Sequence, residues 1–200
     1  MKLSFKLFNF YGVPVNIKIW FLLLFAMLPP MFVLAIFISI LIHELAHAYV
    51  GLKLGHSVSE VYIDFFNGAT MMDINNINDR DSIRIISAGP LSNAVLYLLT
   101  IISISTFGSN DFLQKMAIVN FLLFVFNILP IYPMDGGRLL RSYLTIFTGN
   151  KDKSIRISAF VSLVLSISLL IYSIITLNFF TILFSCLFIY LALKDLKIVN

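Results

Sequence analysis

Charge is scarce in this chain, and cysteine is nearly absent. Asp, Glu, Lys and Arg make up 12% of its 200 residues, about half the share of a soluble domain. A globule with so few charges, 60% hydrophobic residues and a mean hydropathy of +0.96 could not cover its apolar surface in water. That excludes a soluble enzyme, and the same apolar excess excludes a disordered tail. The single cysteine, Cys186, excludes an internal disulfide and the secreted scaffolds that depend on one. No basic tract is interleaved with aromatics, so nucleic acid is not an expected partner. No small-residue cleavage site follows the first apolar run, so a removable signal peptide is not expected either. An integral membrane protein remains. The net charge of +4 fits the basic bias of cytoplasmic loops.

A helix that crosses a bilayer takes about 20 residues. Apolar runs near residues 14–28, 31–52, 87–107, 112–137, 155–177 and 179–193 predict an all-α polytopic protein with about six spans. The first run is short and requires Lys18 to snorkel. The fourth ends in a proline-broken stretch, residues 127–137. With an inside N-terminus, this layout puts every Lys and Arg except Lys115 on the inner side. Both termini are therefore expected in the cytoplasm, with the chain in a bacterial cytoplasmic membrane.

Between the second and third runs the texture changes. Val61, Ile63 and Phe65 alternate with Tyr62, Asp64 and Phe66, and Asn67-Gly68 then gives a strong turn signal. A small membrane-associated β-hairpin is expected there, followed by a polar loop from Asn75 to Ser82. Its edge could accept an extended substrate strand, or the segment could be a simple surface turn.

The chemistry lies in the second run, which reads His43-Glu44-Leu45-Ala46-His47. On a helix, positions i and i+4 share one face about 5–6 Å apart, so two imidazoles can reach one zinc ion. Glu44 stands beside them and can move a proton. The bland alternative is an amphipathic helix with its polar face in solvent. That alternative is weak, because no other charge lies between Phe32 and Glu44, and an unpaired carboxylate at hydrocarbon depth costs several kcal/mol.

A catalytic zinc takes three protein ligands and keeps one position open. Cys186 lies in the last run without polar neighbours, and His56 reads as a solvated loop residue. Asp135 is the stronger candidate. It sits in Asn127-Ile-Leu-Pro-Ile-Tyr-Pro-Met-Asp135-Gly-Gly, where prolines stop the helix and glycines allow backbone conformations closed to other residues. Such irregular backbone is tolerated at membrane depth where protein or a water-filled cavity satisfies it.

HExxH in one span, with Asn-x-x-Pro-x-x-Pro-x-Asp-Gly in a later one, resembles the site-2 protease family of intramembrane zinc metalloproteases. Gly89-Pro90-Leu91-Ser92-Asn93 is similar to that family's GxxxN element. The layout and the Pro-Met-Asp-Gly-Gly-Arg wording resemble the sporulation branch, stage IV sporulation protein FB, whose members cut a membrane-associated sigma-factor precursor. The resemblance implies one Zn2+ held by His43, His47 and Asp135, with Glu44 as general base and then acid. It places Asn127 and Asn93 near the reacting centre, to steady substrate backbone or oxyanion. Amides that bridge helices are the equal alternative. Residues 1–200 would form a single transmembrane metalloprotease domain, without a C-terminal nucleotide-sensing domain or a PDZ insert. The expected partners are the bilayer, a membrane-embedded or membrane-associated regulatory protein as substrate, and inhibitory membrane proteins.

Two other classes compete. A non-catalytic scaffold or pseudoprotease would lack a ligand or the glutamate, and all four residues are present. A metal-ion transporter would show internal repeats with paired broken helices, and none stands out.

Overall fold

A computed structural model describes residues 4–64, 68–72 and 77–197. The chain divides into two compact units, Met1–Val125 and Phe126–Asn200.

The first unit begins with strands rather than a membrane helix. β1 (Ser4–Phe10) and β2 (Val13–Lys18) form an antiparallel hairpin. Its two-residue turn has positive φ at both positions, 48° at Tyr11 and 84° at Gly12, the geometry that suits the twist of hairpin strands. A 3-10 turn (Ile19–Leu22) and the short α1 (Leu23–Met27) lead to α2 (Pro30–Lys53). After α2 come β3 (Val58–Ile63) and β4 (Gly68–Met72). The sheet order is β1-β2-β3-β4, with β2 and β3 parallel and the other pairs antiparallel. Parallel neighbours need a long crossover, and α2 supplies it.

This overturns the expected first span at residues 14–28. Its apolar residues Val13, Val15 and Ile17 alternate with Pro14, Asn16 and Lys18, which is strand periodicity. Val13 and Val15 face a core with Ala48 and Val61, while Phe10, Leu41, Leu45 and Leu52 pack around it. At the far end of the strands, Ile17 and Ile63 pack with Phe21, Val33, Ile36, Phe37 and Ile40. β2 and β3 therefore run opposite to α2, from its C-terminal end to its middle.

Lys18 does not snorkel. Its Nζ lies 2.8 Å from Asp64 Oδ2 and 4.0 Å from the centre of the Tyr62 ring. The Asp64 carboxylate raises the Lys18 pKa above its ordinary 10.5, against a smaller opposing effect of burial. A raised lysine pKa means that the pair's stabilisation is complete below the unfolded value and is lost as pH rises through the folded one. The stability difference between wild type and Lys18→Gln should be small and flat up to about pH 10, then shrink above it. Thermal unfolding across that range would check it.

The hairpin expected after α2 is present as β3 and β4. Val61 and Ile63 are fully buried as the alternation requires. Residues 65–67, which include Phe65, Phe66 and Asn67 of the expected turn, lie outside the described residues. The polar loop expected at Asn75–Ser82 is shorter than that. Asn75 lies outside the described residues, and α3 (Asp79–Phe107) already starts at Asp79, where the Asn78 side chain accepts from Asp81 N at 2.9 Å. A capping Asn with two acids in the first turn is a strong helix start.

Among the described residues, four helices are long and apolar enough to cross a membrane: α2, α3, α4 (Asp111–Ile128) and α6 (Lys151–Ile175). The expected count of six is not reached. The first expected span is a strand followed by a 3-10 turn and the five-residue α1, and α7 (Phe179–Asp195) has 17 residues, at the short limit for crossing. The fold is mostly helical but not all-α, since the sheet has four strands. Burial is inverted relative to a soluble protein. Leu91, Val95, Leu98 and Ile102 form an exposed stripe on α3, while Ser39, Asn93 and Asn120 are fully buried. An apolar exterior around a polar interior is what lipid as solvent selects.

The second unit holds the end of α4, the loop through Pro130 and Pro133, α5 (Asp135–Thr148), α6 and α7. Ser154, Ser158, Ser162 and Ser166 form a fully buried stripe on α6, small enough for neighbouring helices to approach closely. Arg141 on α5 pairs with Asp195, lies 3.3 Å from Ser158 Oγ and stacks 4.3 Å from the Tyr132 ring centre.

Candidate metal centre

α2 carries the first part of the site. His43, Glu44 and His47 are all buried on it. The two imidazoles are held by their Nδ1 atoms. His43 Nδ1 lies 2.6 Å from Asn93 Oδ1, and His47 Nδ1 lies 2.7 Å from the Ile85 carbonyl oxygen. Both partners are acceptors and both stand on α3, so each ring places its proton on Nδ1 and turns a lone pair out at Nε2. The two Nε2 atoms then stand 3.1 Å apart. Two lone pairs that close repel unless a cation or proton lies between them. Nitrogen ligands on a tetrahedral zinc, with bonds of about 2.0–2.1 Å, stand roughly 3.3 Å apart. The donor set and its spacing fit zinc.

Gly89 on α3 keeps the space beside those nitrogens open. A Cβ there would lie 2.3 Å from His47 Nε2 and 2.6 Å from His43 Nε2. No side chain larger than hydrogen is compatible with this pair as it stands.

Asn93 is the hub of a buried network. While Oδ1 meets His43, its Nδ2 donates to Asn120 Oδ1 at 2.9 Å and to the Ser39 carbonyl at 3.3 Å. Asn120 Nδ2 in turn donates to Ser39 Oγ and to the Met116 carbonyl, each at 2.9 Å. α2, α3 and α4 are thus tied around one imidazole. Asn120 and Ser39 were missed in the sequence, although an Asn inside an apolar span is itself a signal.

Glu44 faces the sheet. Thr70 Oγ1 on β4 lies 2.9 Å from Glu44 Oε2 and 2.9 Å from the Glu44 carbonyl oxygen. Two positions earlier on the same face, a Cβ at Gly68 would lie 2.4 Å from Glu44 Cγ and 2.8 Å from Oε1. Nothing in the local pattern singles out Thr70, which pairs with buried Val61 across the sheet.

Asp135 and Asn127 belong to the second unit. Asp135 is buried at the first position of α5, where the helix dipole favours a carboxylate. Its loop folds tightly on itself, with a cis Tyr132–Pro133 peptide and Tyr132 N donating to Ser162 Oγ at 3.0 Å. Gly136 and Gly137 serve this loop differently from expectation. Both are helical, not left-handed, and a Cβ would lie 2.3 Å from the Ile128 oxygen at Gly136 and 2.4 Å from Tyr132 N at Gly137. Close approach of chain to chain, rather than unusual φ, demands glycine here. Asn127 is half-buried near the end of α4. His56 is not a free loop residue, since its Nε2 lies 3.2 Å from Asp81 Oδ2. Cys186 is exposed.

Comparison with known proteins agrees with this picture. The family model for peptidase family M50 matches residues 31–110 and 102–172. A zinc metalloprotease of Methanocaldococcus jannaschii is 31% identical over 98% of the chain, which spans 61% of that protein's length. The stage IV sporulation protein FB of Bacillus subtilis matches less extensively, at 28% identity over 54% of the chain and 38% of its own length. The sporulation branch is thus the weaker likeness. Among solved structures, the site-2 protease from Methanocaldococcus jannaschii superposes with a TM-score of 0.72 at 28% identity, covering 98% of this chain and 97% of that one. The motifs, the fold and these matches agree: the chain belongs to peptidase family M50, the site-2 protease family of membrane metalloproteases.

Proposed function

We propose that this protein is an intramembrane zinc endopeptidase. It cuts a membrane-embedded or membrane-associated regulatory protein near the cytoplasmic side of a bacterial membrane, with both termini in the cytoplasm. A sigma-factor precursor is one such substrate, in keeping with the likeness to the sporulation protein. The observation that carries the reading is the pair of imidazole Nε2 atoms 3.1 Å apart, with a buried glutamate beside them, on a helix apolar enough to cross a membrane.

His43, His47 and Asp135 would hold one zinc ion. When bound, zinc supplies Lewis acidity, which polarises a carbonyl and makes water nucleophilic at neutral pH. Glu44 accepts a proton from the attacking water on its carboxylate and returns it to the leaving amine. Asn93 fixes the His43 ring in the tautomer that leaves Nε2 unprotonated. Asn127 contacts the substrate backbone. A helical substrate hides its carbonyls, so cleavage needs an extended segment, and β4, the outer strand of the described sheet, is where one would pair.

Zinc bound per chain, measured in mild detergent for wild type and Asp135→Ala, tests the ligand set. Wild type should hold about one zinc, and the variant should lose most of it, because removing one of three ligands typically costs more than tenfold in affinity. Metal-replete wild type without zinc, or Asp135→Ala with as much as wild type, would overturn the assignment.

A further inference from the structure

We infer that Thr70 is a positioning residue for the Glu44 carboxylate, so that the edge strand β4 is part of the proton-transfer apparatus. The inference deepens the protease reading and rests on Glu44 acting as the base.

A glutamate has three side-chain torsions, and proton transfer needs its oxygen placed within hydrogen-bond reach of the reacting water. α2 fixes only where the side chain starts. Thr70 supplies the rest. Its hydroxyl has one hydrogen and two acceptors at 2.9 Å, the Glu44 carbonyl and Oε2. The bond to the charged carboxylate is the stronger of the two. That bond occupies Oε2 and leaves Oε1 turned over Gly68, where any Cβ would stand 2.8 Å from it. Strand and side chain interlock: Gly68 gives the carboxylate its room and Thr70 its orientation. Thr70 and Gly68 sit opposite fully buried Val61 and Ile63, so the face that meets α2 is anchored in the sheet. β4 is also the outer strand of the described sheet on the side of the glutamate. An extended peptide paired there would steady the strand that holds the base.

The test compares wild type, Thr70→Val, Thr70→Ser and Glu44→Gln, all zinc-loaded in detergent. Valine keeps the shape and loses the donor, and serine keeps the donor. The first readout needs no substrate. The Glu44 carboxylate stretch is isolated by infrared difference against Glu44→Gln. It should shift in Thr70→Val and return in Thr70→Ser. The second readout is cleavage of fluorescently labelled casein. kcat should fall roughly 10–100-fold in Thr70→Val with KM and zinc content unchanged, and recover in Thr70→Ser. An unshifted carboxylate band in Thr70→Val overturns the inference, as does a kcat loss that serine fails to restore. Cleavage by Glu44→Gln at the wild-type rate would instead overturn the protease reading, while the infrared result would still report the Thr70–Glu44 contact.

Discussion

Gly89→Ala should lose zinc and keep its fold. The added methyl would enter the space between helix α3 and the two ligand imidazoles, 2.3 Å from His47 Nε2 and 2.6 Å from His43 Nε2. Neither ring can yield freely, since each is held at Nδ1 by an acceptor on the same helix as the new methyl. The Nε2 pair must part or turn, and a metal site tolerates only about 0.2 Å of error in its ligand distances. Zinc affinity should drop by two orders of magnitude or more, equivalent to about 3 kcal/mol. The helix itself gains, because alanine in a helix interior is favoured over glycine by roughly 0.5–1 kcal/mol. That gain offsets part of the crowding, so thermal unfolding of the apo-protein should change far less than zinc affinity in a zinc titration. An alanine variant that binds zinc as well as wild type would show that the imidazoles re-form the site elsewhere.

The Glu44→Gln substitution should give the complementary result, with zinc retained and cleavage lost. Glutamine has nearly the same shape, and its amide oxygen can still accept from Thr70, so the strand-to-helix contact survives. What it cannot do is take up a proton. General acid–base groups contribute about 10²–10⁴-fold, so casein cleavage should fall by that factor at unchanged zinc content. Substrate caught uncut on this variant would be recoverable by crosslinking. Zinc content falling together with activity would point to Glu44 as a ligand and require a different base.

The site was legible in the sequence where its information is one-dimensional. HExxH needs only the pitch of a helix to bring His43 and His47 to one face, and the alternation at Val61 and Ile63 needs only the pleat of a strand. The expected span at residues 14–28 failed because its first residues form a strand whose partner is remote. Val15 pairs with Val61 across the whole of α2, and no local pattern announces a parallel neighbour so far along the chain. Averaged hydropathy then mistook the buried half of a strand for a span. Gly89 was visible as part of a motif, yet its purpose was not, because a void beside two imidazoles exists only once α2 and α3 pack. Gly136 and Gly137 are a similar case: glycine shortly after proline suggests unusual torsions, and crowding by the chain's own backbone is the cause.

The sheet's direction along α2 has a consequence for solvation. Its strands reach from the helix's C-terminal end to residues such as Ile36 and Ile40, so part of β4 stands level with the interior of a helix that crosses a bilayer. Every second amide and carbonyl on its outer edge points away from β3. Hydrocarbon offers these groups no partner, and each left bare would cost several kcal/mol. Those groups need water or a peptide as partner wherever no other part of the chain covers them. Hydrolysis in a membrane needs a water supply, and edge backbone beside the glutamate is a place that would hold one. In the proposed reaction, a substrate strand that pairs with β4 would take the place of such water and leave only the reacting molecule beside Glu44.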